Sequence, residues 1–371
     1  MKKNSKTIYF GGPWITSKEV KSVNNSAKNG FYSGMKKDLN SLESNLNKYL
    51  NLKYSHLTFT CTHSMHLALL ACGIKKNDEV IIPDLGWVAT AISILYTGAK
   101  CRFVDIDSET LCVNPESIKK AINKKTKAVM VVHCFGHPCD MKAIKKICKD
   151  HNLKLIEDAA PSMGSHIDQK KTGTFGDIGC FSFQGSKIVT GNEGGAFVTN
   201  NKKYYEFAKL FSILGRTDSK DAFWSDHLGF RYGMSNLNAS LANAQLTRIN
   251  QLVKRKRDIA HKYYDELKNV KSISFIKEPH YGFSNYAYPN IKLIDSNQNK
   301  RNKLHNHLFS KNIHSRLMFP LTSRMPMFKK FNNPNASYCA ENCLTLPSAP
   351  NISDKEIIKV CFEIKKFLNT N

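Results

Sequence analysis

An alternation of strand and helix patterns predicts an α/β fold, a mainly parallel central sheet covered by helices on both sides, with a smaller C-terminal α/β domain after it. Three observations carry this expectation. Short apolar runs at 80–82, 100–104, 128–132 and 154–156 alternate with segments of helical spacing, as successive strand–helix–strand units require. A long amphipathic pattern, Leu246, Ile249, Val253, Ala260, Tyr263 and Leu267, ends that alternation and leads to two more strand-like runs at 270–276 and 287–293. The chain has 371 residues, 41% of them hydrophobic, enough for two domains with sizeable cores. The expected division is a large domain over 1–250, including the N-terminal segment, and a small one over 251–371, linked by a long helix at about 239–268.

In chain order, an extended entry at 7–10 precedes a helix whose cap is read as the Ser17 hydroxyl ahead of Glu19. A loop at 30–34 and a helix at 39–50 follow. The strand at 57–60 turns at Thr60-Cys61-Thr62 into a helix carrying Met65, Leu67, Ala68, Leu70 and Ala71. Helix starts present free amides that can hold a phosphate, while a plain threonine cap is the competing reading. Next come a helix at 88–96, a strand at 100–104 and a helix at 115–123. After the strand at 128–132, Asp140 caps a helix with Ile144 and Ile147 on its inner side. Beyond Thr199 lies a polar helix, and within the amphipathic pattern the run Lys254-Arg255-Lys256-Arg257 reads as a solvated face.

The chain is organised around 155–199. Its first strand ends in Glu157 and Asp158 before small residues, delivering an acid at the carboxyl edge, where open α/β sheets bind ligands. Between strand-like runs at 178–183 and 194–199, Lys187 is displayed among Gly185, Ser186, Thr190 and Gly191. A lysine and an aspartate are what pyridoxal phosphate (PLP) requires: the amine forms a Schiff base, and the carboxylate keeps the pyridine nitrogen protonated. With 55 Lys and Arg residues, spacing alone leaves a surface lysine and a strand-end acid as the alternative.

The strings EDAAPSMGS and GTFGDIGCFSF, then Lys187, then NEGG resemble the DegT/StrS-type family of sugar aminotransferases, PLP enzymes of the fold-type I class. The similarity runs from Tyr9 to about Leu368. It implies that Lys187 carries the cofactor and then serves as general base and acid, that Asp158 pairs with the ring nitrogen, and that Ser182 and Thr62 contact the phosphate. Cys61 stands where the family usually has glycine. Trp87 falls where an aromatic residue stacks on the pyridine ring. Pro161 stands where Gln, His or Glu often touches the ring hydroxyl. In Gly229-Phe230-Arg231-Tyr232-Gly233-Met234, Arg231 takes the place of an asparagine that crosses a dimer interface to the neighbouring subunit's cofactor phosphate. Arginine is also a competent phosphate ligand.

The resemblance further implies a homodimer with a shared active site, L-glutamate as amino donor, and a nucleotide-linked ketosugar as acceptor. The branch that dehydrates at C3 replaces the lysine with histidine, so Lys187 points to amination. Overall likeness favours C4 of a 4-keto-6-deoxyhexose, giving a 4-amino-4,6-dideoxy sugar of the perosamine or viosamine type. The alternatives are a 3-ketosugar or an inosose, or a non-catalytic regulator of the same fold that binds nucleic acid.

The net charge of +25 is the feature behind that last alternative. The positive residues are spread along the chain without an arm or an aromatic-interleaved patch, so nucleic acid is not the expected partner. No apolar run approaches the 18 or so residues of a membrane helix, and no secretory h-region follows the N-terminus, so a cytoplasmic address is expected. Eleven scattered cysteines read as reduced, buried thiols. His133, Cys134, His137 and Cys139 do not match zinc spacings, and no metal is expected.

Overall fold

The structure, a computed structural model, describes residues 6–217, 221 and 224–370. Seven strands form the main sheet: β1 (Tyr54–Thr58), β2 (Glu79–Pro83), β3 (Lys100–Val104), β4 (Thr126–Val132), β5 (Lys154–Asp158), β8 (Ile178–Ser182) and β9 (Gly195–Thr199). A two-stranded hairpin, β6 (His166–Ile167) and β7 (Lys170–Lys171), lies between β5 and β8. The sheet order is β1-β9-β8-β5-β4-β2-β3. Only β9 runs against the rest, because it pairs antiparallel with both of its neighbours.

Burial on both faces explains why the strands read as near-continuous apolar runs. Val80 and Ile82 face one side with Ala128, Met130 and Ile156, where α3 (Cys61–Ala71), α4 (Ala89–Leu95) and α7 (Lys202–Phe211) pack. Ile81, Val129, Val131 and Leu155 face the other, under α5 (Pro115–Ala121) and α6 (Met141–Asp150). Each fully buried Leu or Ile contributes roughly 1.5–3 kcal/mol, so these two layers are the main source of rigidity at the sheet's carboxyl edge.

The remaining helices include α1 (Ser17–Asn29) and α2 (Lys37–Leu50), which pack on α8 (Asn236–Leu246). A second sheet, β10 (Ile273–Phe275), β11 (Asn290–Leu293), β13 (Cys343–Thr345) and β12 (Arg316–Leu317), is antiparallel throughout. It is accompanied by α9 (Ile249–Leu267), α10 (Gln298–Ser310), α11 (Pro334–Asn342) and α12 (Asp354–Thr370). Ile8 bridges Ile313, so the start of the chain lies against this second unit.

Three local expectations are corrected. The cap of α1 is Thr16, not Ser17: Thr16 and Glu19 form a capping box, and Glu19 also receives Arg248 at 2.6 Å. That ion pair coincides with a break, so the helix expected over about 239–268 is two helices, α8 and α9, separated at Thr247 and Arg248. The basic run is not a solvated face. Lys254 is exposed and pairs with Asp258, but Lys256 is buried and donates to the Ser348 carbonyl at 2.7 Å, and Arg257 pairs with Glu278 at 2.7 Å.

Candidate active site

Because β1, β2, β5 and β8 run the same way, their carboxyl ends bring four stretches of sequence to one edge. At β5, successive side chains point to opposite faces, so two neighbouring acids have different surroundings. Glu157 is fully buried and accepts from the amides of Gly173 (2.7 Å), Phe175 (2.6 Å) and Gly176 (2.6 Å), with His133 Nε2 at 3.0 Å. Asp158 is 5% exposed; it accepts from the Thr90 hydroxyl at 2.7 Å and the Ala160 amide at 3.1 Å. Among the described residues, no cationic side chain lies within 4 Å of it. A buried carboxylate in that state fits a ligand that brings its own positively charged N–H.

Lys187 follows β8 in the turn leading to β9, its amide bonded to the Gln184 carbonyl at 2.8 Å. Two buried thiols, Cys61 and Cys134, lie within the influence of both Lys187 and Asp158. Burial pushes the Cys61 thiol well up; the Asp158 carboxylate pushes it further and the Lys187 ammonium pulls it back. Cys134 is raised by burial, then by Cys112, Cys339 and Asp158, and is likewise lowered by Lys187.

At the end of β1, Thr60 caps α3, accepting from the His63 amide at 3.3 Å. The amides of Cys61 and Thr62 make no hydrogen bond among the described residues, so the positive end of α3 is open to an anion. Thr60 has φ −146° and Cys61 is already helical, so the turn works without the glycine of the resembled motif. The glycine that matters is Gly195, opposite both Thr58 and Ser182: a Cβ there would lie 2.5 Å from the Thr60 carbonyl carbon and 2.6 Å from Cys61 N. Its bare backbone lets the start of α3 approach Ser182, whose hydroxyl accepts from the Gln184 amide at 3.3 Å. Two free amides, the Thr62 hydroxyl and the Ser182 hydroxyl are a donor set that fits a phosphate.

Trp87 lies between β2 and α4 with its indole 65% exposed, 6.1 Å from the Phe319 ring. Pro161 offers only its carbonyl, which accepts from Asn285 at 2.9 Å. Arg231 stands apart from these residues. Its neighbour Tyr232 stacks on His63 at 3.8 Å and Gly233 bridges Thr58, while Arg231 itself is exposed. His133, Cys134, His137 and Cys139 are buried, and His133 is held by Glu157 and by the Cys139 amide.

Two site residues were not anticipated. Thr90, which holds Asp158, is buried in the first turn of α4, and its amide bonds to the Trp87 carbonyl at 3.2 Å. Asp84, at the end of β2, accepts from the Ser323 amide and hydroxyl at 2.7 Å and from Asn333 at 2.8 Å, tying the 322–333 segment over the edge. An acid immediately after a strand was its only signal.

The sequence model of the DegT/DnrJ/EryC1/StrS aminotransferase family matches residues 13–365. The chain is 37% identical over 358 residues to GDP-perosamine synthase of Escherichia coli O157:H7, covering 96% of this chain and 97% of that protein. It is 34% identical over 361 residues to GDP-perosamine synthase of Vibrio cholerae, covering 96% and 98%. Among solved structures, the aminotransferase TlmJ from Streptoalloteichus hindustanus superposes with a TM-score of 0.92 at 24% identity, covering 98% of this chain and 100% of that one.

Proposed function

The chain belongs to the DegT/DnrJ/EryC1/StrS aminotransferase family, and from that premise we propose that it moves an amino group from L-glutamate to C4 of a GDP-linked 4-keto-6-deoxyhexose. It is a PLP-dependent sugar aminotransferase, and the product proposed is a 4-amino-4,6-dideoxy sugar of the perosamine type. The observation that carries the reading is that one sheet edge presents both Lys187 and a buried Asp158 with no cation within 4 Å among the described residues, in a chain 37% and 34% identical to two GDP-perosamine synthases.

When bound, PLP supplies an aldehyde that condenses with amines and a ring that takes up the electron pair left when a C–H proton departs. We assign its phosphate to the amides of Cys61 and Thr62 with the Thr62 and Ser182 hydroxyls. Asp158, aligned by Thr90, would accept from the ring N–H and hold the opposing charge against it, and Trp87 would cover a ring face. Lys187 Nζ removes the proton from the donor's Cα and, in the second half of the cycle, delivers one to C4 of the sugar. Pro161 gives the ring hydroxyl no side-chain donor.

Residues 1–250 are taken as the cofactor-binding domain and 251–371 as the small domain. We infer a homodimer in which Arg231 reaches the partner's phosphate. The exposed Arg231 side chain supports this, as do the exposed apolar side chains Phe31, Tyr32 and Met35 in one short segment. No described helix is long and apolar enough to cross a membrane, and all eleven cysteines are free thiols, which supports a cytoplasmic address.

The test uses PLP-loaded protein with glutamate and GDP-, dTDP- and UDP-linked 4-keto-6-deoxyhexoses, with the new amine located by NMR. The expected product is a C4 amine from the GDP sugar, absent with Lys187→Ala. A C3 amine, or no amine from any of the three, overturns the reading.

A further inference from the structure

The segment from Phe10 to Trp14 is a motif the chemistry above leaves unused. Phe10 stacks on Tyr288 with ring centroids 5.0 Å apart and planes 5° from parallel. Tyr288 in turn donates its hydroxyl to the Ser186 carbonyl at 2.5 Å, one residue before Lys187. The guanidinium of Arg316 lies 4.3 Å from the Phe10 centroid, and two planar groups at such distances occupy opposite faces of the ring. A column from Arg316 through Phe10 and Tyr288 therefore ends on the loop of the catalytic lysine.

Arg316 is exposed and has no carboxylate within 4 Å among the described residues. Beside Phe10, the amides of Gly11 and Gly12 make no hydrogen bond among the described residues, and a Cβ on Gly12 would meet nothing within 4 Å. A stacked guanidinium is oriented before its ligand arrives and presents paired N–H groups that match two phosphate oxygens. The Gly11 and Gly12 amides offer further N–H donors nearby.

We propose that Arg316, with the Gly11 and Gly12 amides, grips the diphosphate of the nucleotide-linked acceptor. The inference rests on the acceptor being a nucleotide sugar. A donor carboxylate shares the same oxyanion chemistry, so the experiment distinguishes the two.

Calorimetric binding of GDP to the PLP-loaded protein is compared for wild type, Arg316→Ala, Arg316→Lys and, as a charge control, Lys203→Ala on the exposed side of α7. Arg316→Ala is expected to weaken GDP at least tenfold, Arg316→Lys less, and Lys203→Ala not at all. Equal effects of Arg316→Ala and Lys203→Ala overturn the site. GDP affinity unchanged in Arg316→Ala, with more glutamate needed to shift the cofactor's absorbance, overturns it in favour of the donor carboxylate. If wild type aminates the GDP sugar and Arg316→Ala leaves the acceptor KM unmoved, the diphosphate assignment fails while the acceptor reading stands. If wild type aminates no nucleotide sugar, both fail.

Discussion

Glu157 and Asp158 are adjacent, both acidic and both buried, yet their surroundings predict opposite consequences for their amides. Glu157→Gln keeps one carbonyl oxygen for the Phe175 and Gly176 amides, but turns an NH2 group toward the Gly173 amide that now donates to Oε2 at 2.7 Å. Two buried donors, the Gly173 amide and the His133 Nε2–H left protonated because Nδ1 accepts from Cys139, lose their acceptor and the remaining bonds lose their charge, a cost of about 3 kcal/mol. Against a total stability of roughly 5–15 kcal/mol this is a large fraction. Asp158→Asn keeps an oxygen for the Thr90 hydroxyl or the Ala160 amide and should cost about 1 kcal/mol or less. Its loss is chemical, because the charge facing the ring nitrogen is gone, and the glutamate-driven change in cofactor absorbance should slow by about 10²-fold or more. Urea unfolding of the apo-protein followed by circular dichroism, with stopped-flow absorbance of the PLP-loaded protein, measures both. The Glu157→Gln midpoint should fall by roughly 1 M, taking the slope as about 3 kcal/mol per M. An unchanged midpoint for Glu157→Gln, or an Asp158→Asn protein that converts at the wild-type rate, would refute the division of labour.

Gly195→Ala should push the start of α3 away from Ser182, since the new Cβ meets backbone atoms of Thr60 and Cys61; a weakened PLP dissociation constant and a loss of about 1–3 kcal/mol in stability are expected from equilibrium dialysis and urea unfolding. Burial lowers the Lys256 amine to about 7. The unfolded chain therefore binds this proton more tightly, and the penalty of burying the charged amine is present below about pH 7 and fades as pH rises toward the ordinary lysine value. Lys256→Met should raise stability at pH 6 by on the order of a few kcal/mol and gain progressively less by pH 10, as urea midpoints at several pH values would reveal. For the shared site, Arg231→Ala mixed with Lys187→Ala should regain roughly a quarter of wild-type turnover through dimers that carry one intact site. No recovery after co-refolding would remove Arg231 from its partner's site.

The sheet was legible because a strand buried on both faces must be apolar along its length, and the runs at 80–82, 128–132 and 154–156 fall inside β2, β4 and β5. The edge residues were legible for a related reason. Chemistry at a sheet's carboxyl edge needs polar groups after apolar runs, which is how Asp158 reads in the sequence; Lys187 reads from its small-residue loop, and Ser182 enters only through the family resemblance. Thr90 carries no such mark, and Asp84 carries it no more distinctly than any strand-end acid, so only their partners distinguish them.

The misread basic run has a geometric cause. At 3.6 residues per turn, four consecutive side chains cover about 300° of a helix's circumference, so no single solvated face can hold them all. On a helix with the apolar stripe Leu252, Val253, Ile259, Ala260 and Tyr263, one residue of the run has to point inward. Lys256 does so, its stem sheathed in the core and its amine placed on Ser348, with the Tyr288 ring 5.0 Å away. A long aliphatic stem makes that placement tolerable where an acid's would not be. The same Tyr288 supports Phe10 and anchors the lysine loop, so the error concealed a contact between the linking helix and the backbone that carries Lys187. Charge patterns along a helix are therefore read safely only after the stripe has been laid out, and the residue that violates the pattern is the first place to look for a connection to the site.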